Sequence, residues 1–377
     1  MQIESYRYNG TWNKTFDTSL DSQNTLVLLF GSSNKALVKK PIQELAKNFH
    51  NSSIMGASTA GEIFQEEVYE DSIVAVVMRF ATTQLKLVTK EIHNNSFHLG
   101  KEMATELASD ALAAIFILSD GLHINGSQLT DGFNTVITPD VTTSGGLASD
   151  KSNFVETWIV VNGEVKSNFV SAIGFYGKNI RMGYGTNAGW DILGIKKRVT
   201  KSQNNRVYAL DNKPILDIYK KYLGEQAKDL PASGLLFPLG VYTNEAQKTP
   251  IIRTVLAVDE EEKSITFAGD IPEGARVCLM KSNNDKLISA ALDASQDVNL
   301  EDYTDEPLVN IAISCIGRKL VLKQRVEEEL EAAVENLPAK TLQVGFYSYG
   351  EISPSGLQQC DLHNQTMTLT TIWEKDA

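Results

Sequence analysis

Cysteine is scarce in this chain of 377 residues: Cys278, Cys315 and Cys360 are the only three, far apart and with no C-x-x-C pair. That excludes a disulfide framework and a thiolate zinc site, and leaves buried, inert thiols. A basic surplus is also missing. The formal net charge is −12 and Lys196-Lys197-Arg198 is the one basic triplet, so no cationic stripe is offered to a phosphate backbone and nucleic acid is not expected as a partner. The longest apolar runs, residues 111–118 and 73–78, fall far short of the ~20 residues that cross a bilayer. The N-terminus, with Glu4 and Arg7 among polar residues, lacks a hydrophobic signal core. The expectation is a cytoplasmic protein with no membrane contact.

Familiar catalytic motifs are thin as well. The run Gly183-Tyr184-Gly185-Thr186-Asn187-Ala188-Gly189 has a glycine spacing one residue too long for a dinucleotide fingerprint and no helix start behind it, so it offers no positive dipole end for a pyrophosphate. Gly56 and Gly61 are separated by four residues rather than the three of a hydrolase elbow. The five histidines, His50, His93, His98, His123 and His363, include no helical i, i+4 pair.

Two stretches nearly three hundred residues apart do stand out. Gly56-Ala57-Ser58-Thr59-Ala60-Gly61-Glu62-Ile63 and Gly345-Phe346-Tyr347-Ser348-Tyr349-Gly350-Glu351-Ile352 share Gly, four residues, then Gly-Glu-Ile, with a hydroxyl, Thr59 or Ser348, two positions before the second glycine. Upstream of the first, residues 25–30 read as an apolar strand and residues 35–49 as a helix, with apolar positions at Leu37, Val38, Ile42, Leu45, Ala46 and Phe49. Upstream of the second lie a strand at residues 308–314 and a helix at about 322–337. Strand-rich segments, 72–80 and 365–373, follow the two turns. The unit strand, helix, strand, Gly-Glu-Ile turn, strand therefore occurs at each end of the chain.

Between the ends, residues 101–146 keep an alternating strand and helix rhythm. Residues 154–184 read as successive strands around Asn162-Gly163, a hairpin signal, and predict an antiparallel sheet. A second lobe is expected from about Gly189-Trp190. Its features are a short strand at 206–210, a helix at 213–223 opened by Pro214 and stopped by Gly224, strands at 251–258, 264–267 and 276–280, and a helix at 285–294. The fold class is thus α/β and two-lobed, with mixed sheets and a duplicated unit, divided at residues 20–188 and 189–375.

Around the second turn, Phe346, Tyr347, Tyr349 and Trp373 lie close in sequence to Ser348, Glu351, His363, Asn364 and Gln365. Apolar walls with a few placed polar groups are the chemistry of a small-molecule pocket; a packed strand pair with core tyrosines has the same composition. His363, just before a strand, serves equally as a structural histidine or as a ligand contact. His123 follows Asp120-Gly121 at a strand end, where open α/β sheets place ligands.

Seven motifs in order, Ser58-Thr59-Ala60-Gly61-Glu62-Ile63, Ser119-Asp120-Gly121, Gly145-Gly146, Phe237-Pro238-Leu239-Gly240, Ser314-Cys315-Ile316-Gly317-Arg318, the second Gly-Glu-Ile turn and Leu362-His363-Asn364-Gln365-Thr366, resemble the FIST (F-box and intracellular signal transduction) sensory module. The resemblance covers nearly the whole chain. It implies an intracellular small-ligand sensor, not an enzyme; the ligand-binding candidates, read from the two turns and the polar cluster after the second, are Thr59, Glu62, Tyr347, Ser348, Tyr349, Glu351, His363 and Asn364. In some stand-alone members it also implies haem binding and nitric oxide sensing, reported to a histidine kinase or cyclic-di-GMP enzyme. Haem would make His363 the axial and metal ligand here. With no output domain expected in this chain, signalling would pass through a separate partner. The competing reading is an enzyme using Glu62, Glu351 or His123 as acid and base.

Overall fold

A computed structural model describes residues 1–93, 95–244, 247, 249–354 and 359–375. The strand Thr25–Ser32 is buried at every position, with Leu26, Leu28 and Phe30 packed into one core and Val27 and Leu29 into another. Only a central strand covered on both faces can carry such a run. The helix Lys35–Asn48, capped by the Asn34 side chain, turns Val38, Ile42 and Leu45 toward the sheet. The chain then returns as Ser53–Thr59, parallel to the first strand with Leu29 opposite Gly56, and later as Ile73–Arg79, antiparallel on its other side.

The C-terminal unit repeats this plan. Val309–Cys315 leads through helices Ile316–Leu322 and Val326–Val334 to Leu342–Ser348. The two strands are parallel, with Ala312 opposite Gly345, and Met367–Glu374 returns antiparallel. The helix expected at 322–337 is the second of these, Val326–Val334, and it is preceded by the helix Ile316–Leu322, with Lys323 at a positive φ between the two. Gly56 and Gly345 hold the same register, and Glu62 and Glu351 each follow six residues later.

A further copy lies between them, the second unit in chain order, which makes the C-terminal copy the third. Leu112–Ser119, helix Gly126–Asn134 and parallel strand Thr142–Leu147, with Ile117 opposite Gly145, are completed by Phe169–Tyr176. The three copies interlock through exchanged hairpins. Glu62–Phe64 extends the sheet of the third unit beside Leu342–Ser348, Gly350–Pro354 extends the second beside Thr142–Leu147, and Ile159–Val161 extends the first beside Ser53–Thr59. At the meeting point a cyclic set of amide bonds closes the ring: Ala60 donates to the Tyr347 carbonyl (3.0 Å), Ser149 to Ser58 (2.9 Å) and Tyr349 to Leu147 (3.3 Å). The outer strand of each hairpin, Glu67–Tyr69, Glu164–Lys166 or Cys360–His363, then forms the short edge of the sheet it joins.

This exchange corrects the single antiparallel sheet expected at residues 154–184. Asn162 and Gly163, both at positive φ, do form the tight hairpin between Ile159–Val161 and Glu164–Lys166. The next two strands go elsewhere, however: Phe169–Tyr176 to the second sheet and Ile180–Asn187 to the third. The smaller lobe follows Asn187. Its strands and the helix Ile215–Leu223 enclose their own core of Val207, Leu216, Tyr219, Phe267 and Val277, and the chain re-enters the body at helix Asn284–Gln296.

Strand packing in the units is tight at the aligned glycines. A Cβ on Gly345 would lie 1.8 Å from the Ala312 carbonyl oxygen, and one on Gly145 would lie 1.9 Å from that of Ile117. Either alanine must push two central strands apart, so Gly345→Ala is expected to cost about 3 kcal/mol. Urea denaturation of the variant checks this; an unchanged midpoint would show that the strands can yield.

Candidate functional site

The two Gly-Glu-Ile turns are built alike. Glu62 accepts from the Thr59 hydroxyl with one oxygen and from the backbone amide and hydroxyl of Ser72 with the other (3.2 and 2.7 Å). Glu351 accepts from the Ser348 hydroxyl and from the amide and hydroxyl of Thr366 (3.1 and 2.8 Å). Both carboxyls are buried, and burial pushes each up to about 7 against the pull of these hydrogen bonds. The turns are thus closed by their own side chains. Asp150 does comparable work in the second unit, accepting from the amides of Phe154, Val155 and Glu156 and from the Tyr349 hydroxyl.

The aromatic candidates are also committed to internal partners. Tyr349 stacks on Phe154 with ring centroids 4.6 Å apart. The Tyr347 hydroxyl donates to Glu329 (3.0 Å), which also accepts from Ser314 (3.1 Å) and pairs with Arg318 (2.6 Å). Arg318 donates further to the carbonyls of Ala188 and Leu287 (2.7 and 2.8 Å). These carbonyls lie where the chain leaves for the smaller lobe and where it returns, so one buried guanidinium holds both crossings.

His363 and Asn364 sit at a different kind of place, the junction between the hairpin of the third unit and the smaller lobe. His363 Nε2 lies 3.3 Å from the Ser353 carbonyl, and burial holds the imidazole below its ordinary value. From the smaller lobe comes Arg253, 5% exposed, whose guanidinium donates to the Leu362 carbonyl (2.8 Å) and to Ser127 Oγ (3.3 Å). Asp270 receives Asn125 Nδ2 at 2.7 Å. Burial, with Asp361 and Asp270 nearby, raises the Asp131 carboxyl. In the elements that meet here, Ser233 Oγ, Thr254 Oγ1, Ser353 Oγ, Asn364 Oδ1 and Gln365 Oε1 are buried with no hydrogen-bond partner. Buried polar atoms are normally satisfied, so five orphans in the elements that meet around His363 and Asn364 single this region out as the candidate site.

Of the eight expected site residues, the structure brings His363 and Asn364 to this junction. It places Thr59, Glu62, Ser348 and Glu351 in the closed turns, Tyr347 in the Arg318–Glu329 network and Tyr349 against Asp150. The three groups of the acid-base alternative are dispersed: each glutamate is bound in its own turn, and His123, half exposed, pairs with Asp120 at 3.0 Å. Arg253 escaped the sequence reading. Its signal was a lone cation inside the apolar strand pattern Ile251-Ile252-Arg253-Thr254-Val255, which calls for a buried partner.

Among the described residues no helix is long and apolar enough to cross a membrane. The FIST N domain matches residues 25–213 and the FIST C domain residues 216–354. The uncharacterized protein MJ1623 of Methanocaldococcus jannaschii is 23% identical over 363 residues, spanning 85% of this chain and 68% of its own length. Neither comparison supports the F-box of the expanded name or marks a haem-binding, nitric-oxide-sensing subtype. FIST domains are sensory domains for small ligands and are typically non-catalytic. With both domains present in order along one chain, this protein belongs to the FIST family.

Proposed function

We propose that the protein is a cytoplasmic sensor that binds a small polar ligand where its smaller lobe meets the third unit, and that it signals through a separate partner, a histidine kinase or a cyclic-di-GMP enzyme. The observation that carries the reading is the set of five buried, unpartnered polar atoms in the elements that meet at that junction, since a ligand could supply the missing hydrogen bonds. The division into an N-terminal part (20–188) and a C-terminal part (189–375) belongs to the same proposal; the ligand would bridge elements of the C-terminal part. Arg318, bonded to the carbonyls at both lobe crossings, is the element through which a lobe movement would reach the body.

Calorimetric titration with a panel of small metabolites tests this. A binder is expected, and His363→Ala and Asn364→Ala are expected to weaken it by about 1–3 kcal/mol each. Affinity unchanged in both variants would remove the junction as the site.

Haem held by His363 is the narrower reading. A macrocycle needs apolar walls, whereas His363 is surrounded by Arg253, Asp361 and Ser353, a fit that favours a polar ligand. Absorption spectra after haem addition separate the two. A Soret band lost in His363→Ala would establish haem, and calorimetric binding of a polar ligand without such a band would leave the junction as a polar site.

A further inference from the structure

An open cleft of about 650 Å³ lies at one end of the first sheet, far from the junction in the order of the chain. Its volume falls within the roughly 300–1,000 Å³ of small-molecule sites. The sheet register builds it. Gln2, on the edge strand Gln2–Tyr8, stands directly opposite Arg79 at the end of Ile73–Arg79, so the two side chains leave the same face. Ser22, Gln23 and Asn24 form a further part of the wall, tied to the sheet by the Phe80 amide, which donates to the Asn24 carbonyl (2.9 Å). Phe80, 2% exposed and edge-on to Phe175 at 5.8 Å, is the fixed apolar part of the lining.

Charge decides what such a cleft attracts. The chain carries 47 acidic residues against 35 basic ones, yet the lining includes one charged side chain, Arg79, and no carboxylate. Arg79 Nη1 donates to the Ser19 carbonyl (3.0 Å), which anchors the side chain. Its remaining N–H groups have no acceptor among the described residues, and the guanidinium fork matches a carboxylate or a phosphate. Glu374, the acid bonded to the cleft's Ala81, is already engaged: it is buried, lies 3.7 Å from the Met1 ammonium and accepts from the amides of Ala81, Thr82 and Thr83 (2.6, 2.9 and 2.8 Å). A lone unpaired cation among amide and hydroxyl groups favours an anion with a polar body.

We propose that this cleft binds a small polyhydroxylic anion, its carboxylate or phosphate on the Arg79 guanidinium and its hydroxyls on Gln2, Gln23 and Asn24.

The test is calorimetric titration of the full chain with glucose 6-phosphate, gluconate and glucose at matched ionic strength, probes that share a polyol body and differ in charge. At least one anion is expected to bind, the tighter of the two telling phosphate from carboxylate, and glucose is not. Arg79→Gln is expected to weaken that anion by about tenfold or more, with unchanged circular dichroism. Should that variant misfold, Gln23→Ala in the exposed turn decides, with an expected loss of about threefold. His363→Ala, at the junction, is expected to leave anion binding unchanged. Binding by none of the three probes, or glucose binding as tightly as the anions, would overturn the proposal. Anion binding that survives Arg79→Gln would overturn it too, and its loss in His363→Ala would then assign the anion to the junction, which leaves the proposed ligand site standing.

Discussion

Arg318→Leu is expected to destabilise the protein by about 3–5 kcal/mol, the cost of leaving a buried carboxylate without its cation. Arg318 and Glu329 are both fully buried. Glu329 gathers Arg318, Ser314 and Tyr347 from the strands and helices of the third unit, and Arg318 reaches out of that unit to the carbonyls of Ala188 and Leu287. Removing the guanidinium therefore orphans a charge and two carbonyls at once. Arg318→Lys should recover little, because a single ammonium cannot match the forked geometry that serves three acceptors in different directions. The double variant Arg318→Met, Glu329→Leu should lose less than Arg318→Leu alone, since the uncompensated charge is gone while only neutral groups remain unpaired. Urea denaturation of the three variants decides the matter. A single variant within about 1 kcal/mol of the parent, below the cost expected for a broken buried pair, would mean that water or a shifted side chain replaces the cation.

The same network shows which features the sequence discloses and which it hides. The terminal units were legible because a literal glycine, hydroxyl and carboxylate pattern marks a turn that must close on its own side chains, and Glu62 and Glu351 prove to be bound in matching ways. The middle unit went unseen because it keeps the backbone plan, with Gly145 in register, but replaces the Gly-Glu-Ile turn by Asp150 and a longer excursion to Ile159–Val161. Sequence periodicity marks a strand without naming its neighbour. Residues 159–187 show this plainly: the strand character is legible, yet residues 165–175, which read as one strand, divide into Glu164–Lys166 and Phe169–Tyr176, and the segment as a whole joins three different sheets, since pairing is set by contacts far apart in the chain. At the junction, His363 and Asn364 were marked by the polar cluster after the second turn, whereas Arg253 and Asp270 come from another lobe, and only folding brings them together.

Between about pH 5 and pH 7 the stability of the parent is expected to fall relative to that of a Glu62→Gln, Glu351→Gln double variant. Burial raises each carboxyl from its ordinary 4.5 to about 7, so over this window the folded chain holds protons that the unfolded chain has released. Stability must then decline with rising pH and level off above about 7. A rise of this size corresponds to about 3 kcal/mol per carboxyl. Glu306 and Glu374 behave oppositely. Their backbone amide and hydroxyl partners outweigh burial and hold them near 2, so their contribution is present above 4.5 and lost only as the pH drops toward 2, outside the window. His363 also has the opposite sign: burial depresses it, and the stability it contributes is lost as the pH falls below its ordinary 6.5. The comparison with the double variant cancels these terms, and the glutamine amides can still accept the hydrogen bonds of Ser72 and Thr366. Denaturant titrations at pH 5, 6, 7 and 8 give the readout. Equal pH slopes in parent and double variant would show that the buried carboxyls stay ionised, held by their turns more firmly than burial opposes them.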